Sequence, residues 1–333
     1  MQLETIDFSI IVAAYNVEKT ILFTLDSLES QIFKNFEVII VNDASSDGTD
    51  KVISAFIAQS QIAKIDYYVN KKNSGLSEVR NFGIERAVGE YILFLDGDDA
   101  YHRESLAMVN QRIVNYDTKP DLFFFSAAIF HEVDESRIDN FNLINYEIHN
   151  RYARIDGGNK LLLGIEALVE SRNNETYHDS SCLIAISKKF LNKYLLRLKR
   201  GIVYEDLLFT RLIYYHASQI GIANELVLLI RKSNVSITRS PLSRLKIRSL
   251  FTISEELFNF GKKERQSFFV DEAVSIFTSN LRKIKKSRFY LVSFFDYFSF
   301  FLKISIKHRD ARNLLLKVFK EDSKKFFGYN NNI

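Results

Sequence analysis

Residues 8–14 are FSIIVAA, an uninterrupted apolar run of strand length that ends at the polar pair Tyr15 and Asn16. Similar runs rich in β-branched and aromatic residues follow at residues 36–41, 65–69 and 91–95. Runs that do not alternate with polar residues are typical of parallel strands covered on both faces. The sequence therefore predicts four buried strands within the first hundred residues.

Amphipathic segments with helical spacing separate these strands and extend beyond them. The predicted helices cover residues 18–31, 47–59, 77–87, 106–114, 161–169, 188–196 and 205–215. Further strands are predicted at 121–130, 183–186 and 222–230, and helical patterns dominate after residue 241. This alternation predicts an α/β fold with a mainly parallel sheet, right-handed crossovers and a C-terminal helical module.

Polar clusters follow each of the first four predicted strands. They lie at residues 15–16, 42–49, 73–75 and 96–99. In open α/β sheets, ligands bind beyond the carboxyl ends of the strands, where loop amides and helix N-termini converge. The four clusters are therefore expected to form one binding site.

Asp96, Asp98 and Asp99 place three carboxylates within four residues at the end of a hydrophobic strand. Such carboxylates repel one another unless a cation or hydrogen-bond donors offset them. Magnesium is usually shared between one or two carboxylates and substrate phosphates. An isolated acidic turn is more often simply solvated, but this position at a strand end favours a metal and phosphate site.

The composition divides the chain into two regions. Residues 1–240 hold 26 Lys and Arg against 32 Asp and Glu, whereas residues 241–333 hold 19 against 9. The second region also holds 18 of the 45 Phe and Tyr residues. The sequence therefore predicts a catalytic domain over residues 1–240 and a basic, aromatic-rich helical region over residues 241–333.

The sequence also bears on the cellular location of the chain and on the role of its C-terminal region. The single Cys182 and a first segment without basic residues favour a cytoplasmic location without a signal peptide. The aromatic run at 289–302 is too short to span a bilayer. It fits either peripheral binding at a membrane surface or the core of a helical bundle, packed on the catalytic domain or joining subunits as a homo-oligomer. The acidic body, with no recognition motif, excludes a nucleic-acid partner.

Several motifs together carry a family resemblance. They are SIIVAAYN at 9–16, EVIIVNDASSDGT at 37–49, NSGLS at 73–77, RNFG at 80–83 and GEYILFLDGDD at 89–99. In this order and spacing they resemble the family 2 glycosyltransferases of the GT-A fold. The resemblance is close over about the first 110 residues and looser at Glu205 and Asp206 and at residues 233–238.

The resemblance implies a role for each matching residue. Ala13, Tyr15 and Asp43 would hold the nucleotide base, since a carboxylate can accept from uracil N3–H and a ring can cover its face. Asp96 would lie near the ribose and phosphates, and Asp98, with Asp96, would bind Mn2+ or Mg2+. The remaining residues of the implied nucleotide-sugar site are Asn16, Arg80 and Gly97.

The resemblance also implies an inverting transfer, with residues 1–110 binding the nucleotide sugar and residues 111–240 the acceptor. Asp206 would take the proton from the acceptor hydroxyl. Glu205 would orient Asp206, position an acceptor hydroxyl or exchange roles with Asp206. By position alone, both acids could simply complement the N-terminal dipole of their helix. Two residues depart from the family pattern, because proline is common where Ala13 stands and aspartate where Asn42 stands.

The expected function is metal-dependent transfer of a hexose from a nucleotide sugar, UDP-linked, to an oligosaccharide or lipid-linked glycan in cell-surface polysaccharide biosynthesis. One alternative is a nucleotidyltransferase, although the loop after the first strand lacks the glycines and basic residues that hold a triphosphate. Another is a non-catalytic sugar-nucleotide-binding subunit. Dinucleotide oxidoreductases and P-loop ATPases are excluded because their glycine motifs are missing.

Two pairs of residues are weaker candidates. His178 and Asp179 could lie near the acceptor, but such a pair more often forms a surface hydrogen bond. Arg231 and Lys232, at the end of a predicted strand, could neutralise a diphosphate or anchor a lid, but basic residues at a strand end are usually solvated.

Overall fold

The computed structural model describes residues 6–130, 152–232 and 241–285. Residues 131–151, the 233–238 stretch and the aromatic run at 289–302 lie outside the described residues. The chain divides into two compact units, residues 1–200 with 209–236, and residues 201–208 with 237–333.

The first unit contains one sheet, with eight strands among the described residues. The strands are β1 Phe8–Ala14, β2 Phe36–Asn42, β3 Ile65–Val69, β4 Tyr91–Asp96, β5 Ala100–Tyr101, β6 Leu122–Phe130, β7 Ile184–Ser187 and β8 Ile220–Arg231. Their order across the sheet is β3-β2-β1-β4-β7-β6-β8-β5. The predicted strands are confirmed, and β5 is an element that the sequence pattern did not predict.

Helices connect and cover the strands. Their bounds are α1 Ile21–Glu29, α2 Thr49–Ile57, α3 Leu76–Arg86, α4 Ser105–Val114, α5 Gly164–Asn173, α6 Lys188–Lys193, α7 Glu205–His216, α8 Arg244–Lys263 and α9 Ser267–Lys285. The predicted helices are confirmed, with α5 shifted toward the C-terminus. Helix α6 ends three residues before its predicted end, because Leu195 adopts a left-handed backbone conformation with φ of 52°.

The strand pairing is parallel in the first half of the sheet and mixed in the second. Strands β2 and β4 both pair in parallel with β1, and β3 pairs in parallel with β2. Strand β7 lies antiparallel between β4 and β6. The sheet is therefore mixed, with its parallel part where the sequence predicted it.

The register brings the predicted polar clusters to one edge. Ala14 pairs with Asn42, and Ala13 pairs with Asp96. The ends of β1, β2 and β4 therefore lie side by side, as the sequence predicted.

At the opposite end of these strands, Glu37 in β2 is completely buried. Its Oε1 accepts hydrogen bonds from Ser9 Oγ and Val88 N, both at 2.6 Å. Its Oε2 accepts from Lys64 Nζ. Burial raises the pKa of Glu37, but the hydrogen bonds from Lys64, Ser9 and Val88 outweigh it and lower the pKa below its usual value. One carboxylate thus ties β1, β2 and the segment before β4 together.

In the second unit, α8 and α9 pack through aromatic side chains. The Ser243 hydroxyl caps α8 by accepting from the Lys246 amide at 3.2 Å. Phe251 and Phe277 lie 5.4 Å apart, ring centre to ring centre. The helices confirm the prediction of a C-terminal helical module.

No membrane-spanning helix occurs in the part of the chain that the structure describes.

We expect Glu37→Gln to lower the free energy of unfolding by about 2 kcal/mol at neutral pH, because the amide loses the charge-assisted bond to Lys64. Since the pKa of Glu37 is lowered by folding, its contribution is present above the unfolded pKa and is lost as the pH falls through the folded one. Chemical denaturation at several pH values measures the difference. The exposed Glu85→Gln is the control, and an equal loss in both variants would contradict the assignment.

Candidate active site

Residues 96–99 connect β4 to β5 at the carboxyl edge of the sheet. Gly97 N donates to Ala13 O at 3.0 Å, and Thr20 Oγ1 donates to Gly97 O at 2.9 Å. A Cβ on Gly97 would lie 2.9 Å from Ala13 O. The turn is therefore packed onto the end of β1, and residue 97 must be glycine for this close approach.

Arg80, from α3, holds the first carboxylate of the turn. Its Nη2 lies 2.9 Å from Asp96 Oδ1, and the side chain is 2% exposed. The same guanidinium donates to Ser181 Oγ and Cys182 Sγ, both at 3.2 Å. Arg80 therefore fixes the orientation of Asp96 and links it to the segment before β7.

Arg231, the last residue of β8, holds the other side of the turn. Its backbone N donates to Asp99 Oδ1 and its Nε donates to Asp98 O, both at 2.9 Å. Its guanidinium packs beside the contacting rings of Phe23 and Phe130, 5.0 and 4.8 Å from their centres. The expectation that Arg231 is solvated was wrong, since it is 6% exposed. Its position at the end of a predicted strand marked Arg231 as a candidate residue, but nothing local in the sequence indicated its contact with Asp99.

The three carboxylates differ in their surroundings. Burial and the neighbouring Asp96 raise the pKa of Asp98 to about 6. Asp99 is buried, and burial with the charges of Asp98 and Asp96 raises its pKa well above its usual value. The Asp96 side chain is 37% exposed. The repulsion that remains at Asp96 and Asp98 is what a cation would offset.

The donor set fits a hard divalent ion. Across the described residues, no group of three or more His, Cys, Asp and Glu side chains is arranged to hold a metal. Asp96 and Asp98 offer carboxylate oxygens, and Mn2+ or Mg2+ can take its other ligands from phosphates and water. Asp99 is instead committed to Arg231.

Asp43, after β2, organises the loop that precedes α3. Its Oδ1 accepts from Asn70 Nδ2 at 2.7 Å, Ser74 N at 2.9 Å and Ser74 Oγ at 2.7 Å. Its Oδ2 accepts from Gly75 N at 2.8 Å. Burial raises the pKa of Asp43, and these hydrogen bonds reverse the effect and lower it. The carboxylate stays ionised, and its Oδ2 retains capacity for a further donor.

The loop after β1 is braced against the loop after β2. Asn16, with φ of 52°, accepts from Ser46 N through its Oδ1 at 2.8 Å, and its backbone N donates to Ser45 Oγ at 3.0 Å. Its side chain therefore shapes the loop. The neighbouring Tyr15 is 50% exposed, so its ring is accessible to a ligand.

Asn42 has a structural reason to depart from the family's aspartate. Its Nδ2 donates to Tyr67 Oη at 3.1 Å, and the same hydroxyl donates to Asp50 Oδ1 at 2.6 Å. A carboxylate at position 42 would compete with Asp50 for one proton. An amide, which can donate, satisfies the buried arrangement.

Glu205 and Asp206 form the first turn of α7 and belong to the second unit. Glu205 is buried and Asp206 is partly buried. They follow Tyr204, whose φ of 65° is unusual for a bulky residue. Val203 N donates to Ser249 Oγ of α8 at 2.9 Å, and Lys246 Nζ lies 6.0 Å from the Tyr204 ring centre. Helix α8 therefore holds the strained segment that presents this acidic pair.

His178 and Asp179 do not form the expected surface pair. His178 is 8% exposed and packs on Tyr152, with ring centres 5.3 Å apart. Asp179 Oδ1 instead pairs with Arg211 Nη1 at 2.5 Å.

The structure brings Ala13, Asp43, Asp96 and Gly97 to one edge of the first unit, and the roles predicted for them stay predictions.

The family model of Glycosyl transferase family 2 matches residues 9–194, more than half of the chain. The chain belongs to glycosyl transferase family 2. The matched region contains β2, β4 and all but the first residue of β1.

Named relatives of this family 2 chain come from bacteria. It is 36% identical to the amylovoran biosynthesis glycosyltransferase AmsB of Erwinia amylovora over 104 residues, 31% of the chain and 35% of AmsB. It is 25% identical to glycosyltransferase GlyG of Streptococcus pneumoniae over 237 residues, 70% of the chain and 73% of GlyG. The chain thus spans only about a third of AmsB.

Among solved structures, S. aureus TarS residues 1–349 in complex with UDP-GlcNAc superposes with a TM-score of 0.61 at 19% identity. The superposition covers 84% of this chain and 81% of that one. The family 2 chain therefore has the GT-A fold, with the mixed sheet and flanking helices described above.

We expect Ser249→Ala to speed amide exchange over residues 203–208 by about tenfold, because the Val203 amide loses its acceptor. Ser254→Ala is a matched control. Both hydroxyls donate to the carbonyl four residues earlier in α8 at 2.8 Å, and both are buried. Each variant should lose about 1 kcal/mol of stability. Hydrogen–deuterium exchange with mass spectrometry measures the effect, and equal exchange in both variants would contradict it.

Proposed function

We propose that this family 2 chain is a metal-dependent, inverting glycosyltransferase that transfers a hexose from a UDP-sugar to a glycan acceptor. The observation that carries the proposal is the partly exposed Asp96 and Asp98 pair at the edge where β1, β2 and β4 end. The structure of TarS with UDP-GlcNAc supports the donor class, and the name of AmsB supports a surface polysaccharide as product.

The nucleotide base of the donor would bind between the loop after β1 and the loop after β2. Oδ2 of Asp43 accepts one hydrogen bond within the described residues, so it can accept a second from uracil N3–H. The exposed Tyr15 ring would cover the base, beside the half-buried Ala13. The loop from Asn70 to Gly75 would keep Asp43 ionised and correctly oriented.

Asp98 and Asp96 would hold Mn2+ or Mg2+, in keeping with the general use of divalent ions in the family. When bound, the ion would neutralise the charge that develops on the departing nucleoside diphosphate. Arg80 would keep Asp96 turned toward the ion, and it would act on the donor through that carboxylate because it is itself buried.

Asp206 would accept the proton of the acceptor hydroxyl as that oxygen attacks the anomeric carbon. The single displacement breaks the bond to the diphosphate oxygen and inverts the configuration. Glu205, the residue before Asp206, is buried and would fix the orientation of the Asp206 side chain. The catalytic domain proposed over residues 1–240 would then depend on α8 of the C-terminal region for the placement of its base.

Two substitutions should separate binding from chemistry. We expect Asp98→Asn to abolish Mn2+-dependent UDP binding, because the ion loses a charged ligand. Asp206→Asn should keep UDP binding and lower turnover by about a hundredfold or more, since the general base is lost. Calorimetry with UDP and Mn2+, and UDP release from UDP-GlcNAc, measure the two properties.

The exposed Asp117→Asn serves as the control for both variants. Unchanged Mn2+-dependent binding in Asp98→Asn would refute the metal assignment. Near-normal turnover in Asp206→Asn would remove the proposed base while leaving the donor site intact.

A further inference from the structure

Residues 188–200, KKFLNKYLLRLKR, form a basic segment in the first unit. They contain six Lys and Arg and no Asp or Glu, although residues 1–240 as a whole carry an excess of acids. The exposed cations of the segment are Lys189, Lys193, Lys199 and Arg200. Its charge is therefore opposite in sign to that of the body on which it lies.

Leu195 stands in the middle of this segment and is 81% exposed, more than any other large hydrophobic side chain among the described residues. It ends α6 with two hydrogen bonds, Leu195 N to Asn192 O at 3.3 Å and Leu196 N to Leu191 O at 2.9 Å. This helix ending strongly favours glycine at the left-handed position that Leu195 occupies. A leucine there is strained and gains almost no burial.

Helices α5 and α8 end in the same way, but each has a charged residue at the position that Leu195 occupies. Glu175 after α5 and Arg265 after α8 have φ of 57° and 55°. Both are exposed and charged, as expected for a side chain that points into water. Only the ending of α6, among these three, presents an apolar side chain, so folding alone does not explain it.

The electrostatic partners of the segment leave part of its charge uncompensated. Arg200 pairs with Glu78 at 3.1 Å, and Lys188 Nζ donates to Ala87 O. Lys193 Nζ lies 4.8 Å from the Tyr194 ring centre, and Asp121 acts on it only at longer range. Within the described residues, neither Lys189 nor Lys193 has an ion-pair partner.

We propose that Leu195 and the cations around it form a docking surface for an anionic lipid bilayer. An apolar side chain that protrudes among lysines can enter the acyl boundary while the lysines meet the headgroups. A stable protein partner would instead need a broad apolar contact, and one isolated leucine does not provide it. The surface lies within residues 188–200, so it is independent of the C-terminal aromatic run and of the proposed transfer reaction.

The first test uses Leu195→Gly in the full chain, because the proposal predicts opposite effects on two measurements. The melting temperature should stay equal or rise, since glycine relieves the strained backbone. Binding to phosphatidylglycerol-containing vesicles should weaken by about fivefold, since the inserted side chain is lost. Leu163→Gly, at another exposed leucine, is the control and should leave binding unchanged.

The second test removes charge. Lys189→Gln with Lys193→Gln should weaken vesicle binding about twenty-five-fold, at roughly fivefold for each charge. Raising the salt concentration should reduce the difference from the unaltered chain. The control pair is Lys51→Gln with Lys160→Gln, which removes the same charge elsewhere on the surface.

A third measurement reports insertion directly. Cys182 is buried and is the single cysteine, so Leu195→Cys supplies one accessible thiol for an environment-sensitive fluorophore. Its emission should shift to the blue with phosphatidylglycerol vesicles and stay unchanged with phosphatidylcholine alone.

Three results would overturn the proposal. They are equal vesicle binding by Leu195→Gly and the unaltered chain, no emission shift with anionic vesicles, and lipid-free self-association that Leu195→Gly abolishes. The last result would assign the surface to a second copy of the chain.

Discussion

The arrangement of this site depends on holding three carboxylates at one turn. Asp96, Asp98 and Asp99 repel one another, and two buried arginines from distant parts of the sequence offset part of that repulsion. Arg80 approaches from α3 and Arg231 from the end of β8. The turn therefore fixes the relative positions of β4, α3 and β8.

The division of labour within the turn follows from burial. Asp99 accepts a hydrogen bond from the backbone amide of Arg231. Arg80 orients Asp96, and part of the Asp96 side chain stays exposed. Asp98 carries a raised pKa because burial and Asp96 both oppose its charge. The repulsion that remains at this turn is what a bound cation would offset, and Tyr15 and Asp43 follow the neighbouring strands β1 and β2 at the same edge.

Local signals explain why the sequence predicted the first half of the fold. Strands β1 to β4 are apolar runs bounded by polar loops, and parallel register places their ends together whatever the rest of the chain does. The antiparallel β7 between β4 and β6 depends on long-range pairing that periodicity does not encode. The candidate residues Asp43, Asp96 and Asp98 were visible as strand-end acids. The anchoring by Arg231 was not, because it joins groups 132 residues apart, and neither was the support of the Glu205 segment by Ser249.

The edge beyond β1, β2 and β4 is the proposed binding site of a nucleoside diphosphate and a divalent ion. A thermal-shift titration of the full chain with UDP-GlcNAc, in Mn2+ and in EDTA, tests it most directly, because a ligand raises apparent stability by mass action. The account predicts a concentration-dependent rise in melting temperature with Mn2+ that EDTA removes, and a smaller rise with GDP- or ADP-sugars. An equal rise in EDTA, or no rise with any nucleotide sugar, would contradict it.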